Sequence, residues 1–160
     1  GQGLTGLAGE THLPPNGYLA ALAMSLSAAD GEDVRRRLNL PADWARVVRD
    51  TIALRESESS FDGQVSRISR FLDGLDPNAI AAFARISEDP QVAARLRRYL
   101  DEWRLVSPAL TGDDLLAMGV PPGVKIGEVL RELNVAKLDG QVSSEADERA
   151  LVQQIISRGN

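Results

Sequence analysis

No cysteine occurs among the 160 residues. Disulfides, thiol nucleophiles and cysteine zinc sites are thereby removed, and the absence fits a cytoplasmic protein. Histidine is nearly as scarce: His12 stands alone in a leader rich in glycine, proline and threonine. Multi-histidine metal centres are excluded, and a catalytic triad would have only a loop residue to build on. Long apolar runs are also missing. The best, over residues 18–29, is interrupted by Ser25 and Ser27 and falls short of the roughly 18 residues a membrane span needs. Excess positive charge is absent too. A net charge of −5 and a pI near 4.9 argue against wholesale electrostatic binding of nucleic acid, while leaving room for a local basic face.

What is present is a succession of helical patterns with few strand signals, so the fold class reads as all-α. With 43% hydrophobic residues the chain can bury one real core or two small ones. It begins with glycine, and the reading is of a piece of a longer protein. Residues 1–16 form an expected flexible leader, 17–106 a helical body and 107–160 a tail. A helix is expected over 18–29, broken by Asp30-Gly31, followed by a short one ending at Leu38. Pro41 to Trp44 opens a longer helix with Trp44, Val47, Val48, Thr51 and Leu54 inward, and with Arg46, Arg49, Arg55 and Asp50 on its outer surface. Arg35, Arg36, Arg46 and Arg49 make a candidate basic patch, with a solvated helix face as the plain alternative. Asp76-Pro77 and Asp89-Pro90 each place a capping aspartate before a first-turn proline, the second ahead of a helix expected over 92–106. Trp44, Tyr99 and Trp103 fall on apolar stripes, which favours core packing over base stacking.

The stretch from Leu110 to Leu130 organises the rest. Thr111 can cap a short helix, Gly119 can end it in the left-handed conformation, and Pro121-Pro122 cannot continue it. A second helix then starts at about Gly123, with Ile126, Val129, Leu130, Leu133 and Val135/Ala136 as its apolar face, and ends at Asp139-Gly140. A glycine-led helix start leaves backbone N–H groups unpaired at the positive end of the helix dipole, which suits a phosphate. Gly127, one turn inside, permits a close approach, and Lys125, Arg131 and Lys137 add cations. The candidate site is Gly123, Val124, Lys125, Ile126, Gly127 and Arg131. Two antiparallel helices with a Gly/Pro turn also form a packing unit without any ligand. Asp113-Asp114 reads as first-turn carboxylates favoured by the dipole, with a metal dyad as the lesser reading. Ser143 or Ser144 is expected to cap the final helix.

Several of these residues together carry a resemblance. Pro108-Ala109-Leu110-Thr111-Gly112-Asp113-Asp114-Leu115-Leu116, then Gly119, Pro122-Gly123, Ile126-Gly127, Leu130, Ala136, Leu138-Asp139-Gly140 and the acidic closing helix with Glu148 resemble the C-terminal end of bacterial tRNA nucleotidyltransferases of the poly(A) polymerase family, the CCA-adding and A-adding enzymes. The likeness is dense over 99–152. It is looser upstream, where Arg37-Leu38-Asn39-Leu40-Pro41 and Asp76-Pro77 keep the family's order.

The resemblance implies an all-helical array that grips tRNA away from the growing 3′ end. It also implies a catalytic head elsewhere in the parent chain, where Mg2+ and ATP or CTP would act. Nothing here matches the head's Gly-Ser signature, so no catalytic residue, no metal site and no cofactor is expected in this chain. Its expected partners are tRNA and that head, with a homodimer possible in principle. Two rival readings stay open at this point: a helix-hairpin-helix DNA-binding module, and a structural or dimerising scaffold.

Overall fold

The computed structural model describes Tyr18, Ala20, Leu22, Ala23 and residues 26–158, and among these every α or β element is an α-helix. The leader expected over 1–16 lies outside the described residues. The helices are α1 (Ala28–Leu38), α2 (Ala42–Glu56), α3 (Val65–Leu72), α4 (Pro77–Ile86), α5 (Pro90–Asp101), α6 (Gly112–Ala117), α7 (Val124–Leu138) and α8 (Glu145–Arg158). Short 3-10 turns lie at Glu58–Ser60 and Trp103–Leu105. No helix of the described residues is long and apolar enough to cross a membrane. The chain divides into two compact units, one of residues up to 58 with 75–94, the other of 59–74 with 95 onward.

In the first unit α2 packs against α1 and α4. Asp30-Gly31, expected to break a helix, instead lies inside α1. The Ser27 hydroxyl accepts the Asp30 N–H at 3.2 Å and the Asp30 carboxylate accepts the Ser27 N–H at 3.3 Å, so Asp30 is the far half of a capping box. The Ser27 hydroxyl, which also donates to the Asp30 carboxylate at 2.7 Å, and then the Ser27 N–H hold that carboxyl below the usual aspartate range. Gly31 is buried against α2, where a Cβ would overlap Ile52 Cδ1. On α2 the apolar stripe is rotated from the expected one. Val47, Val48, Thr51 and Leu54 are buried as read, but Asp50 is buried with them and Trp44 remains 37% exposed. Asp50 turns inward because its carboxylate accepts the Asp76 N–H at 2.8 Å, an amide just ahead of α4 with no other partner among the described residues. Asp76 in turn caps α4 by accepting the Asn78 N–H at 2.8 Å.

In the second unit α7 is the central helix, packed against α3, α6 and α8. Its core is Leu110, Leu115, Val120, Val129, Leu133 and Val152. The helix expected over 92–106 is shorter: α5 ends at Asp101 and the chain turns so that Trp103 is buried beneath the Arg98 guanidinium, 5.8 Å from the ring centroid. Tyr99 is buried and donates to Asp73 at 2.9 Å. Burial, followed by that neighbouring carboxylate, pushes the Tyr99 hydroxyl pKa up. Both rings are therefore core.

Asp139, just past the end of α7, accepts the Ser66 N–H at 2.9 Å and the Ser66 hydroxyl at 2.7 Å, and so caps α3 from 73 residues away in sequence. Asp139→Ala is expected to destabilise the unit by about 1–2 kcal/mol, the usual loss for a helix cap. Hydrogen exchange should show the first-turn amides of α3 losing protection before those of α7; equal protection in both proteins would mean the cap is not needed.

Candidate nucleic-acid interface

Thr111 caps α6 as its sequence suggests, with a reciprocal partner. The Thr111 hydroxyl accepts the Asp114 N–H at 3.3 Å while the Asp114 carboxylate accepts the Thr111 N–H at 2.8 Å. The Thr111 hydroxyl and backbone together hold the Asp114 carboxyl below its ordinary value. Asp114 is thus engaged in the cap rather than offered to a metal. Among the described residues no cluster of three or more His, Asp or Glu side chains is placed to hold one.

The exit from α6 is a Schellman turn. Gly119 has φ +93°, its N–H donates to Leu116 O at 3.0 Å, and the Val120 N–H donates to Leu115 O at 3.0 Å. Val120 and Leu115 are both buried, which fastens the turn to the core. After Pro121-Pro122, Gly123 adopts φ +96° and ψ −139°, a region essentially restricted to glycine, and α7 begins.

This end of α7 has no side-chain cap. The Ile126 N–H is occupied, donating to Gly123 O at 3.2 Å. The N–H groups of Val124 and Lys125 have no hydrogen-bond partner among the described residues, and Val124 is 77% exposed. Two outward donors at the positive end of a 15-residue helix therefore meet solvent. Lys125 pairs with Glu128 at 3.1 Å across the surface, a contact weak enough to exchange for a stronger anion. Gly127 lies on the same turn, and a Cβ there would meet nothing nearer than Arg131 Nη2, at 3.8 Å. Arg131 is exposed, and its guanidinium folds back over Gly127.

Not every expected cation is available. Lys137 donates to Glu148 at 3.0 Å and to Ser107 O at 3.0 Å. In the other unit, Arg36 is paired with Asp33 at 2.6 Å, and Arg46 and Arg49 with Asp50 at 3.5 and 2.8 Å. Arg35 lies on α1 with its side chain outside the described set. The upstream arginines are brought together with carboxylates, so the field there is partly cancelled.

Glu148 is the residue whose role the sequence pattern does not disclose. Its carboxylate is fully buried and accepts the N–H groups of Ala109 (2.9 Å) and Leu110 (3.1 Å) as well as the Lys137 ammonium. Burial pushes its pKa up, but the two backbone donors and Lys137 outweigh it and hold the carboxyl below its ordinary value. It fixes the segment entering α6 against α8.

The chain is 27% identical over 97 residues to the A-adding tRNA nucleotidyltransferase of Geobacter sulfurreducens, a match that covers 61% of this chain and 11% of that protein. The likeness is a distant one to a tRNA nucleotidyltransferase. No protein family matches the chain, and no solved structure does.

Proposed function

We propose that this chain is a non-catalytic tRNA-binding part of a nucleotidyltransferase acting at tRNA 3′ ends, seating an RNA phosphate at the start of α7. The observation that carries the reading is the pair of N–H groups at Val124 and Lys125 that have no partner among the described residues, beside a glycine-opened helix face. Gly123, Val124, Lys125, Ile126 and Gly127 form the seat, in which Ile126 closes the first turn and anchors it to the core, and Lys125 and Arg131 supply charge. Structured RNA is bound largely through shape, phosphates and 2′-hydroxyls, so a small convex corner suffices to hold an elbow or acceptor stem. A few such contacts give weak, salt-sensitive binding, which linkage to a catalytic head carrying Mg2+ and ATP or CTP would make effective. The distant relationship to an A-adding tRNA nucleotidyltransferase supports tRNA as the ligand.

Lys125→Glu and Gly127→Glu are each expected to weaken binding of a tRNA transcript at low salt roughly tenfold or more, as lost charge-assisted hydrogen bonds imply. Fluorescence anisotropy with the 160-residue chain measures this. Unchanged affinity in both variants would remove the site. Stronger competition by duplex DNA than by unlabelled tRNA would favour a helix-hairpin-helix DNA module, and a dimer with no affinity for either would favour a scaffold.

A further inference from the structure

A second place in the same unit gathers a net positive charge. Arg70 of α3 and Arg131 of α7 line one open cleft of about 590 Å3 together with Glu132 and Val135. The other arginines of this unit with visible partners are committed: Arg98 to Glu102, Arg149 to Glu145, and Arg95 to the carbonyl of Gly63. Neither Arg70 nor Arg131 has an ion-pair or hydrogen-bond partner among the described residues. Among the described residues Glu132 supplies the one carboxylate in the lining, so two guanidinium groups and one carboxylate leave the cleft with an uncompensated positive charge. A phosphate diester carries the single negative charge that balances it, and the planar guanidinium fork matches phosphate oxygens in pairs.

The walls of the cleft are held in place before any ligand arrives. Asp139 ties the end of α7 to Ser66 at the start of α3 by two hydrogen bonds. Arg70 stands four residues after Ser66, on the same face of α3, while Val135 and Arg131 stand four and eight residues before Asp139 on one face of α7. The seam closed at Ser66 and Asp139 therefore leads along both helices to the two arginines. Arg131 Nη2 also lies 3.8 Å from where a Gly127 Cβ would stand, which puts this guanidinium beside the α7 corner. From Val124 to Arg131 the helix rises about 10 Å, roughly two turns.

We propose that Arg70 and Arg131 form a phosphate clamp across the α3–α7 cleft, taking a second phosphodiester of the same RNA strand that the α7 corner seats. The choice of RNA as ligand rests on the function proposed above; the anion site itself does not. Arg70→Gln and Arg131→Gln should each weaken tRNA binding about fivefold at low salt, and lower the slope of log affinity against log salt by about 0.9. Glu132→Gln should tighten it about twofold. If Lys125→Glu weakens tRNA binding while Arg70→Gln changes neither affinity nor slope, the clamp is wrong and the corner stands. If the unaltered chain binds no tRNA, the RNA reading fails. The clamp is then decided by titrating inorganic pyrophosphate and following the arginine Nε–H resonances by NMR. Joint saturating shifts of Arg70 and Arg131, lost in Arg70→Gln, support it; no shift overturns it.

Discussion

Glu148→Ala is expected to destabilise the C-terminal unit by about 3–5 kcal/mol, the cost of leaving buried partners without their counter-charge. The carboxylate is the acceptor for the N–H groups of Ala109 and Leu110 and the counter-charge of Lys137, so truncation strands two amides and leaves Lys137 with Ser107 O alone. Glu148→Gln keeps the shape and one acceptor oxygen, and should cost less than the alanine change. Urea unfolding in a Trp44→Phe background follows the unit through Trp103, which is buried there. A loss under about 1 kcal/mol for the alanine variant would show that water replaces the carboxylate without penalty. The same carboxylate sets an acid limit. Because its folded pKa lies below its ordinary value of 4.5, the stability it contributes is complete above that value and is lost as pH falls through the lower folded one. The Gln variant should show a flatter decline over that acidic range than the unaltered protein.

Much of the helical order is legible in the residues because local chemistry decides it. Asp76-Pro77 and Asp89-Pro90 start α4 and α5, Thr111 caps α6, Gly119 ends it left-handed, and Ser144 with Asp147 caps α8. Hydrogen bonds from Ser143 and Ser144 pull the Asp147 carboxyl down to about 2. What periodicity misplaces are the residues whose partners are distant in sequence. Asp50 reads as a surface acid because nothing nearby shows that it must accept the amide of Asp76. Glu148 reads as one of several first-turn acids of α8, and its burial is set by amides 38 and 39 residues upstream. Asp30-Gly31 reads as a break because aspartate and glycine usually end helices, but Ser27 makes Asp30 a capping partner and Ile52 makes Gly31 a contact point. The Gly/Pro corner was readable as a shape. Which of its donors stay open was not, since that depends on Ile126 closing onto Gly123 and on the absence of a capping side chain.

Two glycine substitutions at the corner are expected to move stability in opposite directions while both lower affinity for tRNA. Gly127→Ala should raise stability by about 0.5–1 kcal/mol, because alanine is the better helix residue. Among the described residues nothing outside its own helix backbone resists its Cβ, the nearest atom being Arg131 Nη2 at 3.8 Å. Gly123→Ala should lower stability by about 1–3 kcal/mol, because φ +96° with ψ −139° is a conformation alanine occupies only under strain. Relief of that strain rotates the Val124 and Lys125 N–H groups away from their common direction, so affinity should fall by about ten- to a hundredfold, in line with one or two lost charge-assisted bonds. The Gly127 change leaves those donors in place and adds one methyl group where the RNA backbone would pass, so a smaller loss is expected. Chemical denaturation and anisotropy titration on the same preparations check the pair. A more stable Gly127→Ala protein that binds tRNA as well as the parent would mean this glycine leaves room for nothing, and the phosphate would then have to seat elsewhere on α7.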